Sequence, residues 1–227
     1  MEILRTNTLI NKRISILYQI GKGSFADVYI CLDNKHENTL VALKATRIRE
    51  NKISVVTSNE AILLKWANGE GIPRYMGKGM SINLKLEFII MEALGPSLDD
   101  LLFLCGGKFT LKTTLMLFDQ LIRRFRSIHD KGVVHCDIKP HNILMGIGKK
   151  SHTVYLIDYG LANFIFDLSG EHIAFKKDSN LIGTVRFSSP NSHEGYELSR
   201  RDDLIALGYL IYYVYNGSLP WQNDVDP

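Results

Sequence analysis

Near the middle of the chain the apolar residues change period, and that change restricts the fold more than any other feature. Residues 14–44 carry the short runs ISILYQI, DVYICL and LVALKA, separated by glycine or by the polar turn DNKHEN; these read as antiparallel strands. The segment TSNEAILLKWANG offers Thr57 or Ser58 as a cap, Ile62, Leu63 and Trp66 at helical spacing and Gly69 as a stop, which predicts a helix. IPRYMGKG and LEFIIME read as further strands. After LGPS the spacing turns helical, most plainly over residues 110–130. There Thr110 can cap, and Leu111, Leu115, Phe118, Ile122 and Phe125 recur every three or four positions until Gly132 ends the run. A small β-rich part with one helix thus precedes a mostly helical part, an α+β arrangement without internal repeats.

Composition narrows the function classes. The 227 residues are 45% apolar and 22% charged, enough for one large domain or two small lobes. The opening MEILRTNTLINKR has no sustained apolar core, and no run reaches the length of a membrane span. The three cysteines, Cys31, Cys105 and Cys136, are far apart and form no C-x-x-C pair, which argues against a disulfide framework or a zinc knuckle. A reducing compartment, cytoplasmic or nuclear, is expected. Net charge is only +3, and the basic pairs Arg123-Arg124, Lys149-Lys150, Lys176-Lys177 and Arg200-Arg201 are dispersed among acids, so no nucleic-acid partner is expected.

The chemistry-bearing residues fall at the joins between elements. In IGKGSFADV, Gly21 and Gly23 lie between two predicted strands, where bare backbone N–H groups could approach phosphate oxygens; a plain tight turn is the alternative. Lys44 ends the apolar VALK and needs an anionic partner. Glu60 qualifies, because Leu63, Leu64 and Ala67 share its helix face; a solvated glutamate in the first helical turn is the alternative. In VVHCDIKPHNIL, Asp137, Lys139 and Asn142 occupy a loop, and Asp158 opens DYG directly after the apolar VYLI. A hairpin between these strands would bring Asn142 to Asp158, two hard oxygen donors suited to Mg²⁺. Asp137 then remains to accept a hydroxyl proton and Lys139 to stand near a transferring phosphoryl group. Each residue alone could be an ordinary turn or strand-end residue.

Taken in this order and spacing, the set resembles that of the protein kinases. LGPSLDDLL, DIKPHNILMGIGKK, LIDYGLA, NLIGTVRFSSPNSHEG, SRRDDLIALGYLIYY and GSLPWQ together resemble the casein kinase I family of serine/threonine kinases, over about residues 14–222. SSPN at 188–191 resembles the family's S-I-N element, and Asp203 the helix aspartate that holds the catalytic loop. The resemblance implies a bilobal kinase fold with an N-lobe over 1–92, a hinge at 93–95 and a C-lobe over 96–227. It also implies transfer of the ATP γ-phosphate to Ser or Thr of protein substrates that are acidic or already phosphorylated.

Site roles follow from the same resemblance. Gly21, Gly23 and Ser24 would cover the ATP phosphates, Lys44 paired to Glu60 would contact them, and Asn142 with Asp158 would hold Mg²⁺. Asp137 would take the acceptor proton beside Lys139. Ile20, Val28, Ala42, Leu144 and Ile157 would sandwich adenine, with Met91 as gatekeeper and the backbone of Glu92 and Leu94 bonding the purine edge. Thr184 would support the choice of serine or threonine, and Arg186 would read an anion upstream of the target. A monomer with no membrane partner is expected.

The departures from the family also carry information. Cys136 stands where the family has an anion-gripping arginine, and Asn163 and Ser179 stand where it has two lysines. Loss of all three cations implies that activation does not depend on a phosphate docked there. Ala26 replaces a third glycine, and DYG replaces DFG. The family continues beyond the helix Leu204–Tyr215 through several more helices, so the helical lobe reads as truncated, and a kinase-like binding module without activity is the alternative function.

Overall fold

The computed structural model describes residues 4–23, 26–48, 54–177 and 181–222. The chain divides into two compact units, one of residues 1–68 and 73–94, the other of residues 69–72 and 95–227. In the first unit, strands β1 (Leu9–Ile10), β2 (Ile14–Lys22), β3 (Asp27–Asp33), β4 (Thr39–Arg47), β5 (Tyr75–Ser81) and β6 (Leu86–Glu92) form one six-stranded sheet in the order β1-β2-β3-β4-β6-β5. Every pairing is antiparallel. Alternation along the strands puts Ile14, Ile16, Tyr29, Cys31, Val41, Leu43, Ala45, Phe88 and Ile90 into one apolar cluster. Burial there pushes the Cys31 thiol up to about 12.

Helix α1 (Val55–Ala67) starts earlier than its sequence suggests: Ser54 is the cap and accepts from the Thr57 N–H. Its apolar residues also divide differently. Glu60, Ala61, Leu63, Leu64 and Ala67 are buried, whereas Ile62 and Trp66 are 56% and 58% exposed. The inward face is the one that Glu60 shares with Leu63, Leu64 and Ala67, as their spacing suggested, and Ile62 and Trp66 lie off it.

The second unit carries α2 (Leu98–Leu104), α3 (Leu111–Asp130), α4 (Pro190–His193) and α5 (Arg200–Asn216), with the two-stranded ribbons β8 (Ile143–Met145) with β9 (Val154–Leu156) and β7 (Val133–Val134) with β10 (Asn163–Phe164). Thr110 caps α3 as expected. The helix has two apolar stripes, and the one conspicuous in the sequence faces outward: Leu111, Leu115, Phe118 and Ile122 are 37–55% exposed. Its core stripe is Thr114, Leu117, Leu121, Arg124, Phe125, Ile128 and His129. The polar members mask that stripe in the sequence, and each is there for a reason. Arg124 pairs with Glu70 at 2.9 Å and His129 with Asp203 at 2.8 Å. Among the described residues no helix is long and apolar enough to cross a membrane.

Candidate active site

In the first unit, the strand register aligns Gly21, Val28, Lys44 and Ile89 in one cross-strand row, with Ile30, Ala42 and Met91 in the next. Lys44 therefore lies on the face of β4 opposite Leu43 and Ala45. Its ammonium sits 2.7 Å from Glu60 Oε1. Helix α1 lies on that same face, since the Thr57 and Thr46 hydroxyls meet at 3.1 Å. Glu60 is only 4% exposed, so the solvated alternative is excluded; a carboxylate this buried requires a cation.

Between β2 and β3 the Gly23 N–H donates to the Ala26 carbonyl at 2.9 Å. A Cβ on Gly23 would stand 3.0 Å from that oxygen, so the turn favours glycine there. Ser24 lies outside the described residues. Ile20 is half exposed and Ala42 buried, while Val28, Met91, Glu92 and Leu94 are partly buried.

The second unit is organised by the carboxylate of Asp203, 2% exposed near the start of α5. Oδ2 accepts from the His135 N–H and from His129 Nε2, each at 2.8 Å, and Oδ1 accepts from the Cys136 N–H at 2.9 Å. Past these two amides the chain turns sharply, because Cys136 adopts a left-handed backbone, φ +65°. That conformation costs a non-glycine residue about 1–2 kcal/mol, which the charge-assisted bonds offset. The His135 ring accepts the Asp137 N–H at Nδ1 (3.3 Å). Its proton is therefore on Nε2, which donates to the Ile157 carbonyl at 2.8 Å.

This scaffold presents Asp137. Lys139 Nζ lies 2.7 Å from Oδ2, the Thr184 hydroxyl donates to Oδ1 at 2.7 Å, and Lys139 also reaches Thr184 Oγ1 at 3.1 Å. Asn142 Nδ2 donates to the Asp137 carbonyl at 2.9 Å and to Oδ2 at 3.0 Å, which leaves Asn142 Oδ1 as an oxygen donor. The Ile157 N–H bonds the Asn142 carbonyl at 2.9 Å, so the β8–β9 hairpin does bring Asn142 to the start of DYG. Asp158 follows with φ +66°. One carboxylate and one amide oxygen fit Mg²⁺, which keeps waters and phosphate oxygens for its other positions. Leu144 and Ile157 are partly buried in this unit.

Thr184 is itself held by its neighbours. Gly183 has φ +92°, and a Cβ there would lie 2.5 Å from the Cys136 carbonyl, so only glycine lets the segment approach. The Ser192 hydroxyl donates to the Ile182 carbonyl at 2.7 Å. Asp202, which the sequence did not single out, ties SSPN to α5: its Oδ1 accepts from Ser189 Oγ at 2.7 Å and Asn191 Nδ2 at 2.8 Å. The spacing S-x-x-D from Ser199 to Asp202 was the available signal, a capping box. His129 gave no comparable signal, because its partner is 74 residues away.

Arg186 has its guanidinium over the rings of Phe187 (5.1 Å) and Tyr213 (5.2 Å) rather than on a local acid. At Cys136, burial first and then the charges of Asp203 and Asp202 push the thiol well above its ordinary range, so it stays neutral. Asn163 pairs in register with Val134 on the neighbouring ribbon; Ser179 lies outside the described residues. The family model described as protein kinase domain matches residues 14–227.

Proposed function

This chain belongs to the protein kinase family, whose bilobal α+β fold its curled antiparallel sheet and helical part follow, and from that premise we propose a serine/threonine kinase of casein kinase I type. The observation that carries the finer reading is the closed set Asp137, Lys139 and Thr184, in which every pair lies within 3.1 Å. Asp137 Oδ accepts the proton of the acceptor hydroxyl as that oxygen bonds the γ-phosphorus and the bond to the β–γ bridging oxygen breaks, ADP leaving with the electron pair. Lys139 balances the charge that builds up beside it, and Asn142 fixes the carboxylate plane. In the first unit Lys44, oriented by Glu60, contacts ATP phosphates, with Gly21 and Gly23 keeping side chains clear of them. Asn142 and Asp158 would hold Mg²⁺, which supplies charge neutralisation on the phosphate oxygens when bound.

We also assign Arg186 to the recognition of an acidic or phosphorylated residue upstream of the target. What supports this is that its charge rests on aromatic faces and is not consumed by an acid among the described residues. The test compares matched peptides with Ser, Thr or Tyr acceptors, each with and without an upstream phosphoserine, on wild type and Arg186→Ala. Transfer to Ser and Thr, improved by priming only when Arg186 is present, is expected. Transfer to Tyr, or equal priming in the variant, contradicts the assignment.

A further inference from the structure

Between the ribbon β7–β10 and Thr184, the chain passes through a segment that bears none of the residues assigned to phosphoryl transfer. The Ile173 N–H bonds the Ile165 carbonyl at 2.8 Å and closes a small hairpin in which Phe166 bridges His172. Downstream, the Ser192 hydroxyl holds the Ile182 carbonyl. Midway, two basic pairs that are far apart in sequence come together. The Glu197 N–H donates to the Lys176 carbonyl at 2.9 Å, and Lys177 bridges Tyr196 in antiparallel fashion.

On this short backbone contact four side chains stack. The Arg201 guanidinium lies 4.5 Å from the centroid of Phe175. Phe175 stacks on Tyr196 with centroids 4.5 Å apart and planes 15° from parallel. The Lys177 ammonium lies 5.6 Å from the Tyr196 centroid. Arg201 is anchored in turn, donating to the Glu197 carbonyl at 3.2 Å and lying 3.4 Å from Asp202. A stacked aromatic pair presents electron-rich faces outward, and a cation at each end is the arrangement that favours it. Phe175 is 58% exposed, so general burial does not explain its placement.

We propose that Tyr196 is a positioning residue for phosphoryl transfer: with Phe175, Lys177 and Arg201 it clamps residues 173–177 and so keeps Gly183 and Thr184 docked on the loop that carries Asp137. The clamp needs no phosphate, which accords with the uncharged residues at Cys136 and Asn163. This role rests on the kinase reading. In the family resemblance an anion bridges cations to order such a segment; here cations and rings do it with groups the chain already holds.

The experiment combines amide hydrogen exchange with steady-state transfer to a serine peptide, on the full chain before and after phosphatase treatment. Tyr196→Ala is expected to speed exchange over 173–177 and 182–184 and to lower kcat by about tenfold with KM for ATP little changed. Tyr196→Phe, which keeps the stack, restores both. Phe175→Leu, at an exposed position that does not endanger folding, should reproduce the Ala phenotype. Phosphatase should leave wild type unaltered. Unchanged exchange in Tyr196→Ala and Phe175→Leu, or faster exchange with unchanged kcat, overturns the clamp while leaving the kinase reading intact. A phosphatase-sensitive wild type also overturns it. A wild type that transfers no phosphate overturns the kinase reading and this role with it.

Discussion

The hydroxyl of Thr184 and the carboxylate of Asp137, 47 residues apart in the chain, meet at 2.7 Å. This bond fixes one oxygen of the proposed base and ties the segment bearing Thr184 to the loop bearing Asp137. Removing it takes away the hydroxyl that holds Oδ1, although Lys139 and Asn142 still hold Oδ2, and leaves Lys139 with one partner fewer. Thr184→Ala should lower kcat by about tenfold to a hundredfold, since small misplacements of a reacting group have effects of that order. Thr184→Ser should retain most activity. Equal kcat in wild type and Thr184→Ala, by steady-state kinetics, would show that the bond does not position the base.

Asp203 accepts three N–H donors, from His129, His135 and Cys136, in a buried setting. Asp203→Ala strands all of them and lets the left-handed Cys136 backbone relax. The expected loss is about 3–5 kcal/mol, read from urea denaturation. A loss under about 1 kcal/mol would place the organising role elsewhere.

Tyr159, in DYG, packs edge-on against His135 with centroids 5.2 Å apart, and its buried hydroxyl has no hydrogen-bond partner among the described residues. Burial, then the charge of Asp203, raises its pKa, so the hydroxyl remains protonated and unsatisfied. An unpaired buried hydroxyl costs about 1–3 kcal/mol. Tyr159→Phe should therefore raise the melting temperature while leaving transfer unchanged. A lower melting temperature would mean that the hydroxyl has a partner, such as a bound water.

Arg13 bonds Asp33 through both carboxylate oxygens, at 2.8 and 2.6 Å. That pairing holds the Asp33 pKa below its ordinary value, against the opposing effect of burial. A carboxyl depressed in the folded state stabilises fully above its unfolded value and loses that contribution as pH falls through the folded value. Wild type should exceed Arg13→Gln in stability by a constant margin at neutral pH, and the margin should shrink below about pH 4. A margin that grows on acidification would contradict the assignment.

The sequence conveyed most where a residue's role is local. Strand β6 falls where LEFIIME placed it, Thr110 caps α3, and the Lys44–Glu60 pair follows from helix spacing. It misled where the core is partly polar. Arg124 and His129 occupy core positions of α3, so counting apolar residues selected Leu111, Leu115 and Phe118, which face outward. Tyr196, and the role of Asp202 beyond its capping box, were illegible for another reason: they depend on partners brought close only by folding, Phe175 for one and Ser189 and Asn191 for the other.

Asp137 acts as the base of a phosphotransferase. The most direct test of that role is γ-phosphate transfer from Mg·ATP to casein by wild type and by Asp137→Asn, both verified as folded. Asparagine cannot take up the acceptor proton, so transfer by wild type should fall by about a hundredfold or more in the variant. Equal transfer by the two proteins, or none by a folded wild type that still binds ATP, would contradict the account and turn attention to a kinase-like binding module.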